Sequence, residues 1–158
     1  MYPQAACAAS AEEILEDPSI ELVINAGIPC ERAPLGIRAM EHGKDYMTDK
    51  PGMTTFAQLD EVRRVHAETG RIYSVDFSER FHVRAAVKAG ELVQDGAIDK
   101  VLQVVILAPH HRRFSTRPAW YFEREKYGGI LVDIGSHQFD QVPLADLHMI
   151  KVKIEPEA

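Results

Sequence analysis

The residues of this chain best suited to chemistry lie in YGGILVDIGSHQFD, Tyr127 to Asp140, where Asp133 and His137 stand four apart. In a helix, positions i and i+4 share a face, so a carboxylate and an imidazole would sit one turn apart. Imidazole titrates near neutrality, and a neighbouring carboxylate can fix its tautomer and make it a usable general base. Gly128 and Gly129 allow backbone to approach a ligand closely. An isolated D-x-x-x-H is more often a buried helix with a satisfied core histidine, so its meaning depends on the rest of the chain. His110 and His111 add imidazoles that could join Asp133 and His137 around a metal ion. Adjacent histidines in a strand point apart and rarely ligate one ion together, so no metal site is assigned.

The 158 residues suffice for one domain with a real core or for two small ones. Net charge is -6 without any basic block, which disfavours nucleic acid and anionic membrane as partners. The two cysteines, Cys7 and Cys30, form neither a disulfide framework nor a zinc spacing, and this usage suits a reducing cytoplasm. The first ten residues lack the pattern of a signal peptide, and the apolar run Val101–Ala108 is too short to span a bilayer. A soluble cytoplasmic protein is expected.

Periodicity then places the elements. Ser10 and Glu13 have capping-box spacing ahead of a short helix to Asp17, which Pro18 ends. IELVINA, Ile20–Ala26, reads as a buried parallel strand, and Gly27 and Pro29 turn into a helix over Glu31–His42. A second short strand covers Asp45–Thr48. Thr54 and Thr55 offer caps for an amphipathic helix to Thr69, closed by Gly70. A third strand follows within Arg71–Phe77. This alternation is the grammar of a parallel α/β layer. Beyond it, the pattern predicts a helix over His82–Gln94, a long strand over Lys100–Ala108 and a functional loop over Pro109–Lys126. The Asp133/His137 helix comes next, and Leu147 onward reads as a closing strand with one wet face. The fold expected is α/β: a partial Rossmann-like βαβαβ layer over residues 1–77, then part of an α+β domain over 78–158.

Two stretches taken together, Asp49-Lys50-Pro51 at a strand end and GGILVDIGSHQFD, resemble the glucose-fructose oxidoreductase, inositol dehydrogenase and rhizopine-catabolism family of NAD(P)-dependent oxidoreductases. The first is similar to the family's Glu-Lys-Pro and the second to its Gly-rich D-x-x-x-H segment. ERF at Glu79–Phe81 and VQDGAIDKV at Val93–Val101 look like the family's domain junction and the start of its second domain. The resemblance implies a sugar, cyclitol or related polyol as substrate and NAD or NADP as cofactor. It also implies roles. Lys50 would hydrogen-bond the reacting oxygen and stabilise its alkoxide character, and Asp133 would orient substrate and histidine. His137 would take the hydroxyl proton while hydride leaves for the cofactor. Asp49, Lys50, Pro29 and Cys30 would lie at the cofactor.

The chain departs from the family pattern in several places, among them the acidic residue for the adenosine ribose, which it lacks, and a second domain that stops early. It contains no GxGxxG turn for a pyrophosphate, and it reads Ile28-Pro29-Cys30-Glu31 where the family has Thr-Pro-Asn-x-x-His. It resembles a member cut at both ends, so weak or absent cofactor binding is expected of the chain itself. The alternative function is a non-catalytic remnant that binds a small ligand or a partner through exposed sheet edges, and a homo-oligomer is expected on the same ground. If the catalytic reading holds, Lys50 and His137 share one cleft, with Trp120–Lys126 in its wall.

Overall fold

The computed structural model describes residues 4–103, 105–107, 111 and 113–141. The chain forms two compact units, one of Met1–Asp76 with Pro118–Gly128, the other of Phe77–Arg117 with Gly129–Ala158.

The first unit is built on three parallel strands, β1 (Leu22–Asn25), β2 (Asp45–Asp49) and β3 (Tyr73–Asp76), in the order β1-β2-β3. Leu22 lies opposite Asp45, and Tyr46 opposite Tyr73. The expected βαβαβ layer is therefore present. Helix α1 (Ala11–Glu16) starts where the Ser10 hydroxyl accepts from the Glu13 N–H at 3.2 Å. Helix α2 (Pro29–Glu41) opens on a proline, whose missing N–H costs nothing in a first turn. Helix α3 (Phe56–Thr69) is capped by Thr55 and stopped by Gly70 at φ 67°, the left-handed conformation glycine adopts without strain.

The core sits where α2 lies on the sheet. Ala39 packs with Leu15, Val23 and Tyr46, while Ala33 and Met40 pack with Val62 and Val65 of α3. Gly36 lets this helix approach the strands, because a Cβ there would stand 2.5 Å from Tyr73 Cε2 and 2.6 Å from Tyr46 Cδ1. Lys44 is buried, with its ammonium donating to the carbonyls of Asp17 and Ile20 at 2.6 and 2.8 Å. It closes the loop after α1. On β1, Leu22 and Ile24 alternate with buried Val23 and stay 49% and 69% exposed. After the second unit's first segment, the chain returns here as a 3-10 turn (Ala119–Phe122) and α6 (Arg124–Tyr127), the latter packed on α2.

The second unit is helical among the described residues: α4 (Ser78–His82), α5 (Arg84–Gln94), α7 (Ile130–Asp133) and α8 (Gly135–Gln141), with a 3-10 turn at Phe114–Thr116. The helix predicted over His82–Gln94 forms as α5, starting two residues later because Val83 is extended at φ -82° and ψ 97°. One expectation is corrected here. The strand predicted over Lys100–Ala108 is not formed by its described residues, and Leu102, Val105 and Leu107 are 87%, 71% and 88% exposed. An apolar β-branched run becomes a strand only where a neighbour completes its ladder. The strand expected from Leu147 lies outside the described residues. Among the described residues no helix is long and apolar enough to cross a membrane.

Candidate functional site

Asp49 is the last residue of β2, the middle strand, and Lys50-Pro51 follows it through a cis peptide bond. This is the C-terminal edge of a parallel sheet, where open α/β folds place ligands. The Lys50 N–H donates to Asp49 Oδ1 at 2.9 Å. From α2, the buried guanidinium of Arg32 reaches the same turn. Its Nη1 donates to the carbonyls of Asp49, Lys50 and Pro51 at 2.8, 2.6 and 3.2 Å, and its Nε to Gly27 O at 2.9 Å. Its Nη2 lies 3.5 Å from Asp49 Oδ2.

A line of hydroxyls and amides locks this edge from below. Asn25 Nδ2 donates to the Tyr46 hydroxyl at 2.9 Å, and that hydroxyl donates to Arg32 O at 2.8 Å. Burial raises the Tyr46 phenol above its ordinary range, so it stays a neutral donor. The Tyr73 hydroxyl donates to Gly52 O.

Pro29 and Cys30 occupy the first turn of α2 beside this edge, and Gln58 Nε2 of α3 donates to Cys30 O at 2.9 Å. The segment of α6 comes to the same helix. Lys126 pairs with Glu123 at 3.0 Å, and this carboxylate, with smaller help from Cys30 and Glu31, raises its ammonium pKa. Tyr121 stacks on Tyr127 at 5.2 Å between centroids. Asp49, Lys50, Pro29 and Cys30, singled out from the sequence, thus belong to one unit, and the aromatic segment with them.

Asp133 and His137 belong to the other unit and are both buried, at 8% and 7% exposure. The single helix expected to carry them is two short ones. Helix α7 ends at Asp133, whose carbonyl accepts from Ser136 Oγ at 3.1 Å, and α8 begins at Gly135. A hydroxyl that takes a backbone carbonyl competes with the helical ladder, and a glycine beside it offers little resistance.

Glu79, which in the sequence stands out only as part of the ERF junction, places its Oε1 3.8 Å from His137 Nε2. That is too long for a hydrogen bond and within ion-pair distance should the imidazole carry a proton. Gln141 Nε2 donates to Glu79 Oε2 at 3.0 Å, so the carboxylate is held across α4 and α8. Phe77 presents its ring to His137 at 6.3 Å and 78°. Next to them Arg80 Nε lies 3.2 Å from Asp140 Oδ2. Burial raises the Asp140 pKa, and the charges of Arg80 and His137 oppose the rise.

Sequence reasoning also missed Arg32. Its signal was present: with Gly36, Ala39 and Met40 it occupies the buried stripe of α2, where a charge must have partners. His110, one of the four residues weighed for a metal, lies outside the described residues. Among the described residues, no group of three or more His, Cys, Asp and Glu could hold an ion.

Residues 2–77 match the profile of an oxidoreductase family with an NAD-binding Rossmann fold, and residues 86–145 match the GFO/IDH/MocA C-terminal domain. The chain is 30% identical over 146 residues to a scyllo-inositol 2-dehydrogenase (NADP(+)) of Bacillus subtilis, covering 89% of this chain and 38% of that one. It is 24% identical over 131 residues to a D-xylose dehydrogenase of Paenarthrobacter nicotinovorans, covering 80% of this chain and 34% of that one. A crystal structure of a candidate oxidoreductase from Erwinia carotovora atroseptica SCRI1043 is 49% identical, with a TM-score of 0.84 over 87% of this chain and 41% of that one. The chain thus spans well under half the length of these relatives.

Proposed function

Because the chain belongs to the glucose-fructose oxidoreductase, inositol dehydrogenase and rhizopine-catabolism (Gfo/Idh/MocA) family of oxidoreductases, we propose that it supplies the reactive end of a site moving hydride between NAD(P) and a sugar, cyclitol or related polyol. The observation that carries this reading is the position of Lys50, directly after the middle strand at the C-terminal edge of the sheet. The xylose and scyllo-inositol dehydrogenases among the relatives support the substrate class.

The residues present suit the nicotinamide end of the cofactor and not its pyrophosphate. A pyrophosphate cradle needs free N–H groups at a helix N-terminus behind a Gly-rich turn. Here α2 opens with Pro29, which has no N–H, followed by Cys30 and the acidic Glu31, whose N–H donates to Ile28 O at 2.9 Å. The cofactor, when bound, supplies the hydride acceptor. In this reading, Lys50 donates to the carbinol oxygen and stabilises its developing negative charge. His137 takes the hydroxyl proton, with Asp133 orienting it and Glu79 favouring the imidazolium that results. The chain by itself is expected to hold NAD(P) weakly or not at all, and calorimetric titration showing low-micromolar NAD(H) binding would overturn that.

In this reading both side chains act on one hydroxyl group, so turnover at excess cofactor is expected to fall with the loss of either, and a chain that kept its rate without Lys50 or without His137 would overturn the assignment.

A partner-binding role is favoured by Leu22 and Ile24, apolar and exposed on β1, since parallel sheets ordinarily bury both faces. A cytoplasmic homo-oligomer belongs to the same proposal. Light scattering is expected to give a mass above one chain, and a monomer at high concentration would count against it.

A further inference from the structure

We infer that Arg32 is a positioning residue for Lys50: its guanidinium holds the backbone turn from which the lysine side chain departs. The inference rests on the proposed role of Lys50, although its test needs neither cofactor nor turnover.

In a strand, successive carbonyls alternate direction, so one nitrogen cannot receive three in a row. At Asp49, Lys50 and Pro51 three consecutive carbonyls converge on Arg32 Nη1, at 2.8, 2.6 and 3.2 Å. The chain is therefore curled around the guanidinium as β2 ends. The same side chain donates through Nε to Gly27 O, which ties the end of β1 to the end of β2. It also faces Asp49 Oδ2, and Asp49 Oδ1 accepts from the Lys50 N–H. One buried cation thus contacts the carbonyl of Lys50 and the carboxylate that holds its amide.

The position of Arg32 is itself determined. It sits on the α2 stripe that packs on the sheet, and its carbonyl accepts from Tyr46, which in turn accepts from Asn25. A buried charge is costly unless its donors are used, and a site that needed only packing would be served as well by an apolar residue. A planar fork with donors at fixed angles is what binding both Gly27 O and the 49–51 turn requires. Lysine, a point charge with no such fork, cannot reproduce it.

The test uses the chain labelled with 13C,15N-lysine, with the Lys50 ε-methylene resonance assigned by its loss in Lys50→Met. In Arg32→Met and Arg32→Lys, that resonance is expected to move toward the position of exposed Lys88. The Lys50 amide is expected to exchange about 10- to 100-fold faster, the effect of losing a charge-assisted hydrogen bond. The aromatic signals of Tyr46 and Tyr73 should stay in place. An unmoved Lys50 resonance in a variant with those core signals intact would overturn the inference and leave Arg32 as a brace. Loss of the core signals in both variants would overturn it too, since Arg32 would then serve the sheet as a whole. Lack of dehydrogenase activity in the unaltered chain would bear on the proposed function alone, because the Lys50 resonance is read without substrate.

Discussion

If His137 is the proposed base, replacing it with asparagine is expected to slow hydride transfer by about 10²- to 10⁴-fold, the usual contribution of a positioned general base. Asparagine keeps a polar group in a position that is 7% exposed, so the helix pair should persist while the proposed base is lost. Lys50→Met is expected to cost about 10²- to 10³-fold, the scale of one donor to a developing oxyanion. Methionine keeps the apolar stem and removes the charge. Glu79→Gln should cost less, about tenfold, because a carboxylate 3.8 Å from the ring acts only through the imidazolium. Rates would be read from reduced nicotinamide at excess cofactor, with a panel of sugars and cyclitols. Losses below about threefold for both His137→Asn and Lys50→Met would remove these residues from the chemistry, since a group acting in the transition state cannot be deleted so cheaply.

Tyr46→Ala is expected to destabilise the first unit severely. The ring is fully buried, lies 5.1 Å from the Tyr73 ring and packs against Gly36, where no side chain could fill the space. Truncating a buried aromatic costs about 3–5 kcal/mol, against a total stability on the order of 5–15 kcal/mol. The hydroxyl adds to the loss, because its removal strips a donor from Arg32 O and an acceptor from Asn25. Tyr46→Phe isolates that part and should cost about 1–2 kcal/mol. Urea denaturation followed by circular dichroism separates the two. A Tyr46→Ala midpoint within error of the unaltered chain would mean that the sheet is not organised around this residue.

Much of the first unit was legible in the chain because its elements are decided locally. Ser10 and Thr55 cap helices through their own hydroxyls, Gly70 stops one at positive φ, and the short runs at Leu22–Asn25, Asp45–Asp49 and Tyr73–Asp76 alternate with helical stretches in the order of a parallel layer. Two motifs in order were enough to point to the family. Other features depend on partners distant in sequence, and no local pattern reports those. Val101–Leu107 has strand composition without a ladder to join, so among its described residues it forms none. Whether Asp133 and His137 share one helix was settled by Ser136, which takes the carbonyl of Asp133. The neighbour of His137 is Glu79, 58 positions earlier, and the anchor of the Lys50 turn is Arg32, on a helix before that strand. Residue types and their order determined the elements and the kinds of chemistry available to this protein. Burial and backbone convergence, which exist only once helices pack on the sheet, decided which charges hold the candidate residues in place.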